Sequence, residues 1–295
     1  MTLTLTAAQI DAVVAMALAE DAPWGDITGD TLLPASASAD AALVAREPGV
    51  FAGGGVLVRT MALADADIRV DLLVADGEAF ATGDTLARIV GPARPLLRAE
   101  RVALNLAQRM SGIATATKRY VDAVAHTSAR IVDTRKTTPG LRALERHAVR
   151  CGGGRNHRFS LSDAVLAKDN HLAVLTAGGA DLTTVLREAR ATLPHTVHLE
   201  VEVDRIDQIA NVLAAGVDTI MLDNFSLDAL REGVALIAGR ALVEASGGVT
   251  LESVRAIAET GVDVISVGAL THSVRALDLG LDIAVAGAGG TPGSA

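Results

Sequence analysis

The chain is poor in cysteine, in lysine and in long apolar runs, and each scarcity excludes something. A single cysteine, Cys151, among 295 residues leaves no intramolecular disulfide and no cysteine-built metal cage. Half of the residues are hydrophobic, but Gly, Asp and Arg break them into short stretches. None approaches the roughly 18–20 apolar residues of a membrane span. The N-terminus lacks the basic-then-apolar layout of a secretion signal; Thr6 and Gln9 have the spacing of a capping box that opens a helix. Together these absences predict a cytosolic protein. A net charge of −9 opposes general attraction to nucleic acid or anionic membrane.

Against that acidic background one stretch stands out. From Arg135 to Lys168 the basic side chains are Arg135, Lys136, Arg142, Arg146, Arg150, Arg155, Arg158 and Lys168, against only Glu145 and Asp163. A positive island in an acidic protein suggests recognition of a small anion. Arg142, Arg146 and Arg150, four apart, read instead as one solvated helix face or a subunit contact. The lysines sharpen the point. The chain holds three of them, Lys118, Lys136 and Lys168, beside 23 arginines, and two fall inside the island. An ammonium is a compact point charge and a guanidinium a planar fork, so Lys136 and Lys168 mark places where a single oxygen or reacting centre must be met. Lys118, on a long helical stretch, reads as a surface residue.

The pattern divides the chain. A helix is expected over 7–20, then β-like stretches at Ala41–Arg46, Ile68–Val74 and Thr85–Val90, with a helical segment near 54–64. Residues from Pro95 to about His126 read as one long helix. This makes 1–110 a small α+β domain with its linking helix. From 130 onward short apolar strands alternate with amphipathic helices. The strands are Arg130–Thr134, Ala164–Lys168, His198–Val203, Thr219–Leu222, Leu242–Ala245 and Val262–Val267. Helices are expected near 141–150, 181–192, 205–214, 227–238 and 251–260. Such βα alternation implies a parallel sheet, and a step of roughly twenty residues between late strand ends suggests a (β/α) barrel. Six strands rather than eight make it irregular or open, over 111–275. Residues 276–295 are expected to return to the N-terminal domain, with a disordered Gly/Ala/Ser/Pro tail from Ala286.

Chemistry in such barrels lies at the carboxyl ends of the strands. Those ends are Thr134-Arg135-Lys136, Lys168-Asp169-Asn170-His171, Glu202 with Asp204, Asp223-Asn224, Ser246-Gly247-Gly248 and Gly268. Ser246-Gly247-Gly248 and Val267-Gly268-Ala269 each follow a strand and suit a phosphate held by backbone N–H groups. Leu199-Glu200-Val201-Glu202-Val203-Asp204 alternates, which turns its three acids toward the barrel interior. Acids there need cations, with Lys136 and Lys168 the available ones, or Mg²⁺ arriving with a phosphorylated substrate. Glu202 with Asp223 is the expected functional pair, and Glu200 a supporting ion-pair residue. After the Gly152-Gly153-Gly154 turn, His157 and Arg158 suit a planar carboxylate. Cys151 has no paired base and reads as inert.

Taken together these stretches resemble nicotinate-nucleotide pyrophosphorylase (carboxylating), the quinolinate phosphoribosyltransferase family. The resemblance runs in order through Glu100-Arg101, Asn105-Leu106, Ser111–Thr115, Asp133-Thr134-Arg135-Lys136-Thr137, Gly152–Gly154 with Asn156-His157-Arg158, Lys168–His171, Glu200–Val203, Leu222–Phe225, Ser246–Gly248 and Val267–Thr271. It implies a small N-terminal domain, an open barrel, and a homodimer in which Arg101 is lent across the interface. The implied reaction joins quinolinate and phosphoribosyl pyrophosphate, with Mg²⁺, into nicotinate mononucleotide, pyrophosphate and CO₂. By the same resemblance Arg135, His157, Arg158, Lys168 and the partner's Arg101 hold the quinolinate carboxylates. Glu202 and Asp223 face the ribose and its metal, and the two glycine loops take the 5-phosphate. Lys136, Lys168, Glu202 and Asp223 are the expected catalytic residues.

The chain departs from the family pattern at Arg155, usually apolar, at Ser160, usually Gly, and at Ala167, usually larger. None of these removes an anion ligand. Two other readings share the fold: a related phosphoribosyltransferase-like protein for another acidic heterocycle, and a noncatalytic phosphate-ligand sensor. A sensor needs anion binding but no inward carboxylates, which both lysines with Glu202 and Asp223 argue against.

Overall fold

The computed structural model describes residues 5–284, and the expected tail from Ala286 lies outside them. The chain forms two compact units. The first takes residues up to 116 together with 138–153 and the segment from 274; the second takes 117–137 and 154–273.

In the first unit, α1 (Ala7–Asp21) opens with the expected capping box: the Gln9 amide donates to Thr6 Oγ1, and the Thr6 amide to Gln9 Oε1. Then come α2 (Ile27–Leu32), β1 (Ser38–Ala45), β2 (Gly49–Val50), α3 (Gly54–Ala64), β3 (Arg69–Leu72), β4 (Ala79–Phe80) and β5 (Thr85–Pro92). The long α4 (Ala93–Val124) follows. Strand β1 alternates so that Ala39, Ala41, Leu43 and Ala45 face inward. They meet Phe51, Leu57, Met61, Leu86, Ile89 and Leu96 in one apolar core.

The second unit is built of βα units. Its elements, with α5 belonging to the first unit, are β6 (Arg130–Val132), α5 (Arg142–Cys151), β7 (Val165–Ala167), α6 (Asp169–Thr176), α7 (Leu182–Thr192), β8 (Leu199–Val203), α8 (Ile206–Ala214), β9 (Thr219–Asp223), α9 (Leu227–Ile237), β10 (Leu242–Ser246), α10 (Val254–Ala258), β11 (Val264–Ser266) and α11 (Ala269–His272). The last strand, β12 (Leu279–Ala284), belongs to the first unit and pairs antiparallel with β1 in a sheet ordered β12-β1-β5-β3.

The second unit's six strands form a parallel sheet ordered β6-β11-β10-β9-β8-β7. The order is cyclic in sequence, as in a barrel, but β6 and β7 form its two edges, so the barrel is open. On the β6 edge the chain at Arg155 adds a short parallel bridge to Val132. Strand β8 carries Leu199, Val201 and Val203 on its buried outer face and Glu200 and Glu202 on the inner one. Pairing sets Glu202 level with Met221 of β9, and Met221 level with Glu244 of β10.

Residues 138–153, within the stretch expected to form the barrel, make their contacts in the first unit: buried Glu145 of α5 accepts from Arg109 Nε at 2.8 Å and from the Thr138 amide at 3.1 Å. His147 meets Asp76 there at 2.7 Å. Arg146 is buried, so Arg142, Arg146 and Arg150 are not a solvated face; a four-residue spacing shows that side chains share a face, not which way it points. Asp204 is exposed beside Arg205 and not interior, since β8 ends at Val203. Lys168-Asp169-Asn170-His171, at the expected strand end, opens α6, a helix not among those expected, and the Lys168 amide donates to His171 Nδ1 at 2.9 Å. The Cys151 thiol is pushed up to about 12, by burial first and then by Asp76, and so stays protonated and unreactive.

Candidate active site

At the carboxyl ends of the second unit's strands lies a cavity of about 560 Å³. One wall is cationic: Arg135 and Lys136 after β6, Arg158 after the glycine turn, and Lys168 after β7. The facing wall carries Glu202 of β8, Asp223 of β9 and Ser246 of β10, and Gly247 and Gly248 close the rim.

Each of these groups has a local cause for its position. The Lys168 ammonium lies 2.6 Å from Glu202 Oε2, joining the ends of two adjacent strands. Asp223 Oδ2 accepts from Asn224 Nδ2 at 2.6 Å. Asn224 itself sits at φ 58, a left-handed turn that Asn tolerates, with its amide donating to Ser246 O at 2.9 Å. Gly247 is required for the same turn: it has φ +94, and a Cβ there would fall 2.1 Å from Asn224 Oδ1. Lys136 is held through its backbone, its carbonyl accepting from Thr271 Oγ1 at 2.7 Å and its amide donating to Thr134 Oγ1 at 3.0 Å. Its side chain runs over Gly268, where a Cβ would come within 3.0 Å of Lys136 Cδ.

The cations are crowded. Burial, and then the charge of Arg135, hold the Arg158 guanidinium below the ordinary arginine value. Like charges gathered at a half-buried wall lower their mutual repulsion when an anion enters between them.

His157 and Glu244 also line this cavity, and with Glu200 they form a buried cluster. His157 Nε2 is 3.0 Å from Glu200 Oε2 and 3.5 Å from Glu244 Oε2. Both carboxylates are almost wholly buried, at 4% and 3% exposure. Burial alone would lower the imidazole, but the hydrogen bonds to Glu200 and Glu244 outweigh it and lift it to about 10. Burial also raises Glu200. The trio therefore retains a proton near neutrality. The Arg158 amide donates to His157 Nδ1 at 2.8 Å, which leaves Nε2 as the ring nitrogen that donates to the carboxylates. The same cluster, His157 with Glu200 and Glu244, also lines a second cavity of about 500 Å³ that reaches the strand starts at Arg130, His198, Thr219, Leu242 and Val264.

Of the residues expected from sequence, Thr134, Arg135, Lys136, His157, Arg158, Lys168, Glu202, Asp223, Ser246, Gly247 and Gly248 line the upper cavity together. Val267, Gly268 and Ala269 do not line it; Gly268 acts by making room for Lys136. Arg101 is exposed on α4 and belongs to the first unit. His157, expected to hold a substrate carboxylate, has both ring nitrogens engaged, by Glu200 with Glu244 and by the Arg158 amide. Glu244 was not singled out. It lies mid-strand in Leu242–Ser246, and only its isolation in an apolar run marks it.

Profiles described as "Quinolinate phosphoribosyl transferase, N-terminal domain" and "Quinolinate phosphoribosyl transferase, C-terminal domain" match residues 26–111 and 113–282. The chain is 43% identical over 264 residues to a probable nicotinate-nucleotide pyrophosphorylase [carboxylating] of Bacillus subtilis, covering 90% of each. It is 46% identical over 273 residues to the nicotinate-nucleotide pyrophosphorylase [carboxylating] of Mycobacterium leprae, covering 90% of this chain and 94% of that one. Among solved structures, NadC from Streptococcus pyogenes superposes with a TM-score of 0.91 at 40% identity, over 96% of this chain and 99% of that one.

Proposed function

The chain belongs to the quinolinate phosphoribosyl transferase family, decarboxylating pentosyltransferases of NAD biosynthesis, and from that premise we propose how its upper cavity carries out the transfer. Quinolinate and phosphoribosyl pyrophosphate meet in the cavity and leave as nicotinate mononucleotide, pyrophosphate and CO₂. The observation that carries this reading is one pocket lined by four cations and by the carboxylates of Glu202 and Asp223, with Lys168 and Glu202 paired at 2.6 Å.

Arg135, Arg158 and Lys168 bind the two carboxylates of the acceptor and present its ring nitrogen. The nitrogen lone pair attacks C1 of the ribose as the C1–O bond to pyrophosphate breaks. Positive charge develops at C1, and Glu202 and Asp223 stabilise it from the facing wall. Lys136 meets the negative charge of the departing pyrophosphate. The Ser246-Gly247-Gly248 turn offers backbone donors to the 5-phosphate, with Val267-Gly268-Ala269 behind it. Once the ring nitrogen is quaternary, the bond from the adjacent carbon to its carboxylate breaks. The electron pair stays on that carbon until a proton replaces CO₂. Most of the rate comes from holding the two reactants in line.

Mg²⁺ belongs to the same reading. Glu202 gives one oxygen to Lys168 and Asp223 one to Asn224, which leaves each a second hard oxygen facing the cavity. Two carboxylate oxygens suit an ion that keeps most of its waters and arrives with a diphosphate, whose charge it would offset. A homodimer in which Arg101 serves the partner's site is likewise part of the proposal. It is supported by the exposure of Arg101 and of Trp24, Ile27 and Leu32, an apolar patch on the first unit in which Trp24 is 95% exposed. No helix among the described residues is long and apolar enough to cross a membrane, and an unpaired Cys151 accords with a reducing, cytoplasmic setting.

The test is direct. Purified protein with quinolinate, phosphoribosyl pyrophosphate and Mg²⁺ is expected to form nicotinate mononucleotide, seen by chromatography and NMR. Absence of that product, with turnover on another acidic heterocycle, overturns the substrate assignment.

A further inference from the structure

The buried charge cluster at the edge of the pocket is organised around one atom. Glu200 from β8 and Glu244 from β10 converge on His157 Nε2. The second oxygen of each, Oε1, is buried with no hydrogen-bond partner. Such an arrangement of one imidazole and two carboxylates has the donor set of a metal site, within 4.8 Å. The other ring nitrogen decides against it. An amide N–H only donates, so the Arg158 amide makes Nδ1 the acceptor and leaves the ring proton on Nε2. A metal would need the lone pair on Nε2, so the trio is a hydrogen-bonded clamp on the ring.

What the clamp controls is the segment that follows the glycine turn. Asp133, fully buried at the end of β6, accepts from the His157 amide at 2.9 Å and from the Asn156 side chain. His157 in turn receives the Arg158 amide. The Arg158 guanidinium donates to Ala164 O at 2.9 Å while lining the upper cavity. Thus the direction of Arg158 follows from the ring of His157, and the ring's plane follows from Glu200 and Glu244.

We propose that Glu200 and Glu244 are positioning residues for acceptor recognition: they grip the ring of His157 and so fix Arg158, which meets the acceptor's carboxylate. The inference rests on the assignment of quinolinate as acceptor. Glu200→Ala and Glu244→Ala are expected to raise the KM for quinolinate about tenfold, the scale of one lost orienting hydrogen bond, and to leave the KM for phosphoribosyl pyrophosphate unchanged. Glu244→Gln keeps an acceptor oxygen of the same shape and is expected to restore the parent KM. Nitrogen-15 NMR of the parent chain, with His157→Asn for assignment, is expected to show His157 protonated on Nε2 and accepting on Nδ1. Equal rises in both KM values, a Gln variant as impaired as the Ala variant, or a proton on Nδ1 each overturn the proposal. If the Ala variants do not fold, the Gln variant and the NMR spectrum still decide it. Product formation by the parent chain is read separately, so failure of the quinolinate assignment is distinguishable from failure of the clamp.

Discussion

Glu200 and Glu202 stand two residues apart on the same face of the same strand, and they differ in almost everything else. Glu202 reaches the partly exposed Lys168 and lines the upper cavity. Glu200 is buried against His157 and Glu244, lines the second cavity instead, and its affinity for a proton is raised. A single 6–7 Å step along a strand, about two residues of rise, separates a carboxylate that meets a cation at one cavity from one that shares a buried imidazole. The partner each acid meets, not residue type, distinguishes them.

The sharpest way to break this comparison is to neutralise the upper acid. Glu202→Gln is expected to lower kcat about 10²–10³-fold, since it removes charge facing the ribosyl centre, and Lys168→Ala to act on the same scale. Stability should hardly move, because Lys168 is 47% exposed on its side chain and such pairs contribute about 0–1 kcal/mol. Steady-state kinetics beside thermal melts check both halves. The buried acid should behave in the opposite sense. Glu200→Ala is expected to cost about 1–3 kcal/mol in denaturant unfolding while sparing kcat at saturating acceptor, because it leaves a buried donor short of an acceptor.

The rim offers a smaller contrast. Gly247→Ala forces a side chain into left-handed backbone and against Asn224, for about 1–2 kcal/mol from the backbone alone, whereas at Gly248, φ +58, an added Cβ meets open space. Unfolding midpoints should therefore fall further for Gly247→Ala, and its KM for phosphoribosyl pyrophosphate should rise more. The smallest effect is in pH. The extra proton shared by His157, Glu200 and Glu244 is held up to about 10 against an ordinary imidazole value of 6.5, so its contribution to stability is complete below about pH 6.5 and is lost as pH rises through 10. The Tm difference between the parent and His157→Asn should be largest at low pH and shrink toward pH 10. A difference that grows with pH would show that the clamp's proton is not retained.

Much of the site was legible because barrel chemistry gathers at strand ends, and strand ends can be found from turn residues and apolar runs. Thr134-Arg135-Lys136, Lys168, Glu202, Asp223 and Ser246-Gly247-Gly248 were all placed in this way, and the structure brings them round one cavity. Glu244 was not legible, since an acid in the middle of Leu242–Ser246 has no turn beside it and its meaning depends on a ring from another part of the chain. His157 was found, but its partners were not, because nothing local distinguishes an imidazole facing substrate from one facing two buried carboxylates. The helix at 142–151 is legible as a helix, but not its contacts with Arg109 and Asp76, for periodicity carries no information on what a face meets.

By itself the sequence determined the βα alternation, the inward direction of Glu200 and Glu202, and the gathering of cationic side chains around Lys136 and Lys168. Each of these follows from local rules of period, turn and charge that act over a few residues. Only the tertiary structure decided that β6 and β7 leave the barrel open, that Glu202 pairs with Lys168 while Glu200 and Glu244 share His157, and that Arg146 is buried. Those outcomes turn on register and contact between distant segments, which rules acting over a few residues do not reach.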